Sequence, residues 1–577
     1  MEHKKNSRYF NYFLAILTAG ILCVFFYHHF TISYYINDDV TMRNIASGAY
    51  SGTPDGHVIY IKYVLGWILS SLYKIAQNID WYGLLMFTTH FVCLAAILGR
   101  MLNWFNMMNR FFVIETTIIV YFILDMNNIS SFQFTTAAAI CGVTALFLFV
   151  TVPEDCGKKR LVLNYAGIAI LALVSYCIRD KVLLMLVPFA LVVWIYRLIR
   201  DKVHWKRYIA LCLVILAGMG VIFGVEKYAY RSQEWKEYRE FNIARAEILD
   251  YYGYPDYDTH REGYEELGIS KEEYDLLASG TLNFSSDLTR EKYIDLAEFA
   301  KETYEAQFSL FDRIKSAVRD TIVYSMYLLE TGDQAVTLLL YFMFACYCLY
   351  RRKYDILAVL GGIFLSRELI YIYLLYQGRF IERVQEVLVL CDWGLLLVLI
   401  LQTGAYKIIE LKHRKLDTIV AVAGLVLLGV PTYYFYQYSS ADTGVSNEAL
   451  VSAYCNEREE NRYILDITTF SVGNNVFSLK RDVVYMDYLT MYGWSCNTDM
   501  YVQKKENMGI DGIDEALLEE NTYLIETAPA SESTLIEAMI RYYDSKGLDV
   551  DYTVVDVIQG GEESFQVLDF NVQERTQ

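Results

Sequence analysis

Eleven apolar runs, each close to the length that crosses a hydrocarbon core, constrain this chain before anything else does. They cover residues 13–30, 81–102, 111–124, 134–152, 162–178, 182–196, 208–225, 335–350, 356–376, 387–402 and 419–436. In lipid every backbone N–H and C=O must be satisfied within the segment, and a helix does this. The expected fold is therefore an all-α polytopic membrane bundle of about eleven transmembrane helices. Composition agrees, with 55% hydrophobic residues and only 6 Pro in 577.

Charge orients the bundle. Lys4/Lys5/Arg8, Arg100/Arg110, Lys158/Lys159/Arg160, Arg200/Lys202/Lys206/Arg207, Arg351/Arg352/Lys353 and Lys407/Lys412/Arg414/Lys415 all fall on one side under a single condition. The run 57–75, interrupted by Lys62 and Lys74, must lie along the surface and not span. The positive-inside rule then gives a cytoplasmic N-terminus. It puts the first loop (34–80), a helical insertion (226–334) and the C-terminal tail (438–577) together outside. No small-x-small site follows the run 13–30, which is read as an uncleaved helix.

The acidity belongs to the tail. From Tyr438 onward there are 26 Asp and Glu against 9 Lys and Arg, nearly all of the formal net charge of -18. The rest is close to neutral and offers no concentrated basic face, which excludes nucleic acid as a partner. The tail alternates strand-like runs (463–467, 483–488, 522–525, 552–557, 565–570) with a helix over 532–546, so it reads as a small α/β domain beside a transmembrane domain over 1–437. It has no Gly-rich phosphate loop, no G-x-S-x-G and no His/Cys cluster, and is expected to be accessory. Cys455 and Cys496 could pair if the tail is outside. In the insertion, Ser270 and Glu273 predict a capping box.

Charged residues at membrane boundaries carry the candidate chemistry. Asp38 and Asp39 follow the first span, where adjacent carboxylates mark either a site or a hydrated loop start. Arg179, Arg379 and Arg383 fall at helix ends on the same side, and Arg367-Glu368 lies inside a span. Guanidinium forks match phosphate oxygens, so these arginines could converge on an anionic headgroup. A structural ion pair is the other reading of Arg367 and Glu368. His57 and Lys62, on the surface-lying loop, could reach the same anion, although interface anchoring is the commoner role of such side chains. A carboxylate that deprotonates an acceptor hydroxyl beside arginines that neutralise a phosphate leaving group would form a coherent pair.

A first span, an acidic pair opening the first outer loop, surface-lying helices, many further spans and a soluble C-terminal domain together resemble the GT-C superfamily of membrane glycosyltransferases. Phe132-Gln133-Phe134-Thr135-Thr136, Ser366-Arg367-Glu368 and Gly378-Arg379-Phe380-Ile381-Glu382-Arg383 resemble a family of uncharacterised multi-pass proteins of Gram-positive bacteria with the same plan. The resemblance implies a bacterial cell-membrane enzyme that moves a hexosyl or pentosyl group. The donor would be a polyprenyl-phosphate sugar, and the acceptor an envelope glycan, lipid or protein. Asp38 or Asp39 would be the general base and the arginines would take the donor phosphate. Where the family carries a second acidic motif, this chain has only Asp125 before Met126-Asn127-Asn128. Asp38, Asp39 and Asp125 are a thin oxygen set for a divalent metal, which leaves metal dependence doubtful. Two other functions compete. A lipid-linked saccharide transporter or flippase would gate through Arg367-Glu368 and should show internal repeats. A non-catalytic envelope-assembly protein would bind partners through its acidic tail.

Overall fold

The computed structural model describes residues 2–35, 37–105, 110–153, 157–326, 332–404, 447–466, 476, 486–560 and 563–573. The first half runs α1 (Glu2–His29), β1 (Ser33–Tyr34), α2 (Asn37–Ser47), α3 (Tyr63–Ile75), α4 (Trp81–Trp104), α5 (Arg110–Ser130), β2 (Ser131–Phe132), α6 (Phe134–Val150), α7 (Lys158–Ile178), α8 (Asp180–Arg200) and α9 (Trp205–Ala229). The insertion follows, with α10 (Gln233–Glu247), a π turn (Ile248–Tyr252), α11 (Arg261–Glu266), α12 (Lys271–Ala278), α13 (Arg290–Gln307) and α14 (Leu310–Met326). Then come α15 (Gly332–Tyr350), α16 (Tyr354–Tyr376) and α17 (Glu382–Thr403).

Eight of these helices are long and apolar enough to cross a membrane, namely α4, α5, α7, α8, α9, α16, α17 and the Arg8–His29 part of α1. Helix α6 and the Val336–Tyr350 part of α15 are shorter apolar helices. Ten of the eleven apolar runs are thus helices, and 419–436 lies outside the described residues. Helix α6 is the axis, buried along almost its whole length among α4, α7, α8 and α17. Its small residues make that possible: a Cβ on Gly142 would come within 2.3 Å of Leu186. Helix α9, by contrast, turns Leu213, Val214, Leu216, Val221 and Phe223 outward, as lipid requires.

Which helix ends lie together is fixed by a short parallel pairing, Ser33 with Ser131 and Tyr34 with Phe132. The C-terminal ends of α1 and α5 therefore share one face of the bundle, called here the loop face. Helix α3, at 13 residues or about 20 Å, is too short to cross ~30 Å of hydrocarbon. It is pinned at its start by the Lys62 N–H donating to the Cys177 carbonyl at 2.8 Å.

The tail also docks on the loop face. It comprises α18 (Asn447–Asn456), β3 (Arg462–Leu465), β4 (Leu489–Thr490), α19 (Asp499–Asn507), α20 (Ile513–Ala516), β5 (Thr522–Thr527), α21 (Thr534–Ser545), β6 (Val550–Gln559) and β7 (Ser564–Val572). Its sheet has the order β4-β3-β5-β7-β6, with β3 parallel to β4 and β5, and β7 antiparallel to β5 and β6. The expected strand over 483–488 lies partly outside the described residues, and its described end leads into β4. Ser533 caps α21 by accepting from the Ile536 N–H, and the Ser270–Glu273 capping box opens α12. Backbone bonds tie the parts together: Met486 N–H to Ala49 O at 2.9 Å joins tail to first loop, and Leu282 N–H to Met491 O at 2.9 Å joins insertion to tail. Cys455 and Cys496 are both free thiols in separate clusters of the core, so they do not pair.

Candidate active site

Helix α2 opens with the acidic pair in its first turn, where the positive end of the helix dipole favours carboxylates. Successive residues on a helix diverge by about 100°, so the two acids meet different surroundings. Asp39 points into protein and is fully buried. Its Oδ1 accepts from the Tyr82 hydroxyl at 2.6 Å and from the Phe134 N–H at 3.2 Å. Phe134 is the first residue of α6, so Asp39 satisfies one of the orphan donors of the central helix. Its Oδ2 has no partner among the described residues. Burial pushes this carboxyl up to about 8, with the Tyr82 bond pulling it back and neighbouring Asp38 adding to the rise.

Asp38 faces the other way and its side chain is 25% exposed. One oxygen accepts from the Trp494 indole N–H at 2.9 Å, and the other lies 3.6 Å from the Arg383 guanidinium. Trp494 arrives from the tail on a segment held by the insertion. The Tyr238 hydroxyl donates to the Trp494 carbonyl at 2.8 Å, and the Asn497 amide donates to Asn283 at 3.2 Å. First loop, α17, insertion and tail all converge here.

Tyr60 is the hub beside this carboxylate. Its ring meets the Trp494 ring edge-on at 5.1 Å, and Arg179 sits over both Tyr60 (4.9 Å) and Phe134 (4.8 Å). Burial and the Asp38 carboxylate push the Tyr60 hydroxyl up to about 12, with Arg245 and Arg179 opposing the rise. Arg245 of α10 is only 8% exposed, and its Nε donates to Asn242 at 2.9 Å. Arg379 pairs with Asp250 of the π turn and lies over the Tyr251 ring at 5.7 Å.

No family model and no curated protein matches the sequence. Two solved structures resemble it. ArnT from Cupriavidus metallidurans bound to undecaprenyl phosphate aligns at a TM-score of 0.42 and 10% identity, over 96% of this chain and 97% of that one. The apo state of the same protein aligns at 0.41 and 9% identity over the same shares.

The remaining candidate residues lie elsewhere. His57 is bonded to Asp55 at 2.6 Å and stacked on Trp235 at 4.9 Å, in an aromatic nest with Tyr63 and Tyr230. Lys62 is paired with Asp180 at 2.8 Å and Glu226 at 3.7 Å, clamping the first loop to α8 and α9. Arg367 is buried about 13 Å below the loop-face end of α16, paired with Asp392 at 3.0 Å and with Glu368. Tyr341 donates to Asp392 at 2.8 Å and Tyr371 lies under the guanidinium at 4.5 Å. Arg367 and Glu368 thus form an interior ion pair, because an acid on the neighbouring helix supplies the counter-charge that an anionic ligand would otherwise bring. Asp125 is sealed in the bundle on His90 at 2.6 Å. Among the described residues, no three His, Cys, Asp or Glu gather as metal ligands would.

Trp494, Tyr60, Tyr82 and Arg245 were not legible as site residues. Trp494 lies 456 positions from Asp38, and nothing in its local sequence marks it as the partner.

Proposed function

We propose that this protein is an integral-membrane glycosyltransferase that moves a sugar from a polyprenyl-phosphate donor to an envelope acceptor, with Asp38 as the general base. The observation that carries the reading is the state of Asp38: a partly exposed carboxylate, oriented by an indole N–H and facing a guanidinium, at a membrane boundary. A general base must be reachable and oriented, and Asp38 is both. Asp39 is buried and engaged by Tyr82 and Phe134, which suits it to holding α2 against α6.

The chemistry is a single displacement. Asp38 takes the proton of an acceptor hydroxyl as that oxygen bonds to the anomeric carbon. The bond from that carbon to the donor phosphate oxygen breaks, and the phosphate leaves with the electron pair. Arginines at the loop face neutralise the departing charge, the largest contribution fixed groups can make to such a step. The outward side of the membrane, a bacterial envelope setting and a domain boundary near 437 belong to the same reading, supported by the positive charge clustered away from the loop face. The transporter alternative needs Arg367-Glu368 as an open gate, and Asp392 and Tyr341 close that pair.

The test is sugar transfer in reconstituted vesicles from a radiolabelled polyprenyl-phosphate sugar. Wild-type protein transfers label and Asp38→Asn does not, with equal membrane insertion. Equal rates for the two would end the proposal.

A further inference from the structure

Residues 491–497 carry Trp494 to the base, and no helix or strand runs through them. They leave β4, turn through left-handed backbone at Gly493 (φ 106°) and Asn497 (φ 63°), and reach Thr498, the cap of α19. A segment without a ladder of its own stands where the bonds from its neighbours put it. The tail holds the β4 end, where the Met491 N–H donates to the Leu465 carbonyl at 3.1 Å and the Tyr501 hydroxyl to the Thr490 carbonyl at 2.8 Å. The insertion grips the segment three times. The Leu282 N–H donates to the Met491 carbonyl at 2.9 Å, the Tyr238 hydroxyl to the Trp494 carbonyl at 2.8 Å, and the Asn497 amide to the Asn283 side-chain oxygen at 3.2 Å.

The middle contact falls on the residue that touches the base. Tyr238 of α10 is fully packed, at 3% exposed, and its ring meets Trp235 edge-on at 5.5 Å. Trp235 stacks on His57 at 4.9 Å, and His57 is bonded to Asp55 at 2.6 Å. Asp55 and His57 belong to the same first loop as Asp38. The contacts therefore leave the first loop at His57, cross α10, and return to it through Trp494 at Tyr60 and Asp38.

We infer that Tyr238 is a positioning residue for sugar transfer: its hydroxyl fixes the Trp494 backbone, and the Trp494 indole then sets the direction of the Asp38 carboxylate. This rests on the glycosyltransferase reading above and deepens it by giving the insertion a part in the reaction. A tyrosine hydroxyl has one proton to donate, and this one goes to the Trp494 carbonyl, so Tyr238 reaches Asp38 through Trp494. A reacting group is only as well placed as the shell that supports it, and a small misplacement from a distant change is enough to slow a displacement.

The experiment measures kcat, donor KM and thermal midpoint of full-length protein in the vesicle transfer assay. Tyr238→Phe keeps the ring and should lower kcat about threefold to tenfold, the weight of one neutral hydrogen bond, with the donor KM and the midpoint near wild type. Ser286→Ala deletes a hydroxyl bond to Asp514 at 3.0 Å, an insertion–tail contact that does not involve residues 491–497, and should leave kcat at the wild-type value. The deciding readout is the double variant. Trp494→Phe already releases Asp38, so adding Tyr238→Phe to it should cost less than about a further twofold, whereas independent effects multiply. Asn283→Ala, which frees the Asn497 end of the same segment, should show the same split between kcat and KM and the same lack of additivity, and it stands in if Tyr238→Phe does not fold.

Wild-type kcat in Tyr238→Phe, or in Asn283→Ala where that variant stands in, overturns the positioning role. So does a loss that multiplies with that of Trp494→Phe, or one that Ser286→Ala matches. Each of these outcomes leaves Asp38 as the base. Transfer at the wild-type rate by Asp38→Asn ends the glycosyltransferase reading itself, whatever Tyr238 does.

Discussion

Two charged clusters, one inside the bundle and one at its loop face, are built from the same residue types and end in opposite states. Inside, Arg367 meets Asp392 and Glu368, and Tyr341 donates to Asp392. At the loop face, Asp38 keeps a quarter of its side-chain surface open and Arg245 keeps its charge unanswered by any carboxylate within ion-pair distance among the described residues. A charge inside an apolar helix is thus no sign of a site by itself. An interior cluster that neutralises itself holds helices in place, and a cluster left short of counter-charge has room for a ligand.

The contrast breaks most sharply at Asp38. Asp38→Asn should cut transfer by about 10²- to 10⁴-fold, the usual worth of a general base, in the vesicle assay with donor at saturation. Glu368→Gln, on the interior cluster, should change transfer only in proportion to the folded protein recovered.

Next in size is the interior pair. Arg367→Met strands Asp392 and should destabilise the bundle by ~3–5 kcal/mol, read as a lower thermal midpoint in detergent. Replacing both partners, Arg367→Met with Asp392→Leu, should recover most of that loss. If the single variant instead keeps its midpoint and loses donor binding, the interior cluster is a site and the comparison fails.

Trp494→Phe keeps the ring and deletes the N–H that holds Asp38. A hydrogen bond to a charged group is worth ~1.5–3 kcal/mol, so the turnover rate should fall about tenfold to a hundredfold. The donor KM should stay near wild type, since the lost bond is to the base and the ring that packs on Tyr60 is kept.

A pH dependence separates the two adjacent acids. The Asp39 carboxyl is raised to about 8 by burial, so it stays protonated in the folded protein while the unfolded chain ionises at its ordinary value of 3.8. The folded state then holds more protons than the unfolded state between those values, and stability falls as pH rises through that window. Asp39→Asn keeps an acceptor for Tyr82 and Phe134 and has no such dependence. Its thermal midpoint should match wild type near pH 4 and exceed it increasingly toward pH 8. A midpoint difference that ran the other way would mean that Asp39 is ionised in the fold.

Much of the plan was written locally. Ten of the apolar runs are helices where hydrophobic length placed them, the Ser270–Glu273 box and the α21 cap stand where their residue types predict, and the short α3 follows from its interrupted run. The acidic pair could be located but not divided, and the ion-pair and phosphate-binding readings of Arg367 stayed open because its partner Asp392 lies on another helix. The tail, expected to be accessory, delivers Trp494 to Asp38.

Hydrophobic length and charge placement are properties of contiguous residues, so the sequence by itself determined the spans, their alternation, and the grouping of first loop, insertion and tail on one face. Burial and counter-charge are properties of neighbours brought from far along the chain. Only the tertiary structure could therefore decide that Asp39 is sealed against Tyr82 and α6, that Asp38 is open beside Arg383, and that Asp392 answers Arg367 while no carboxylate pairs with Arg245 among the described residues.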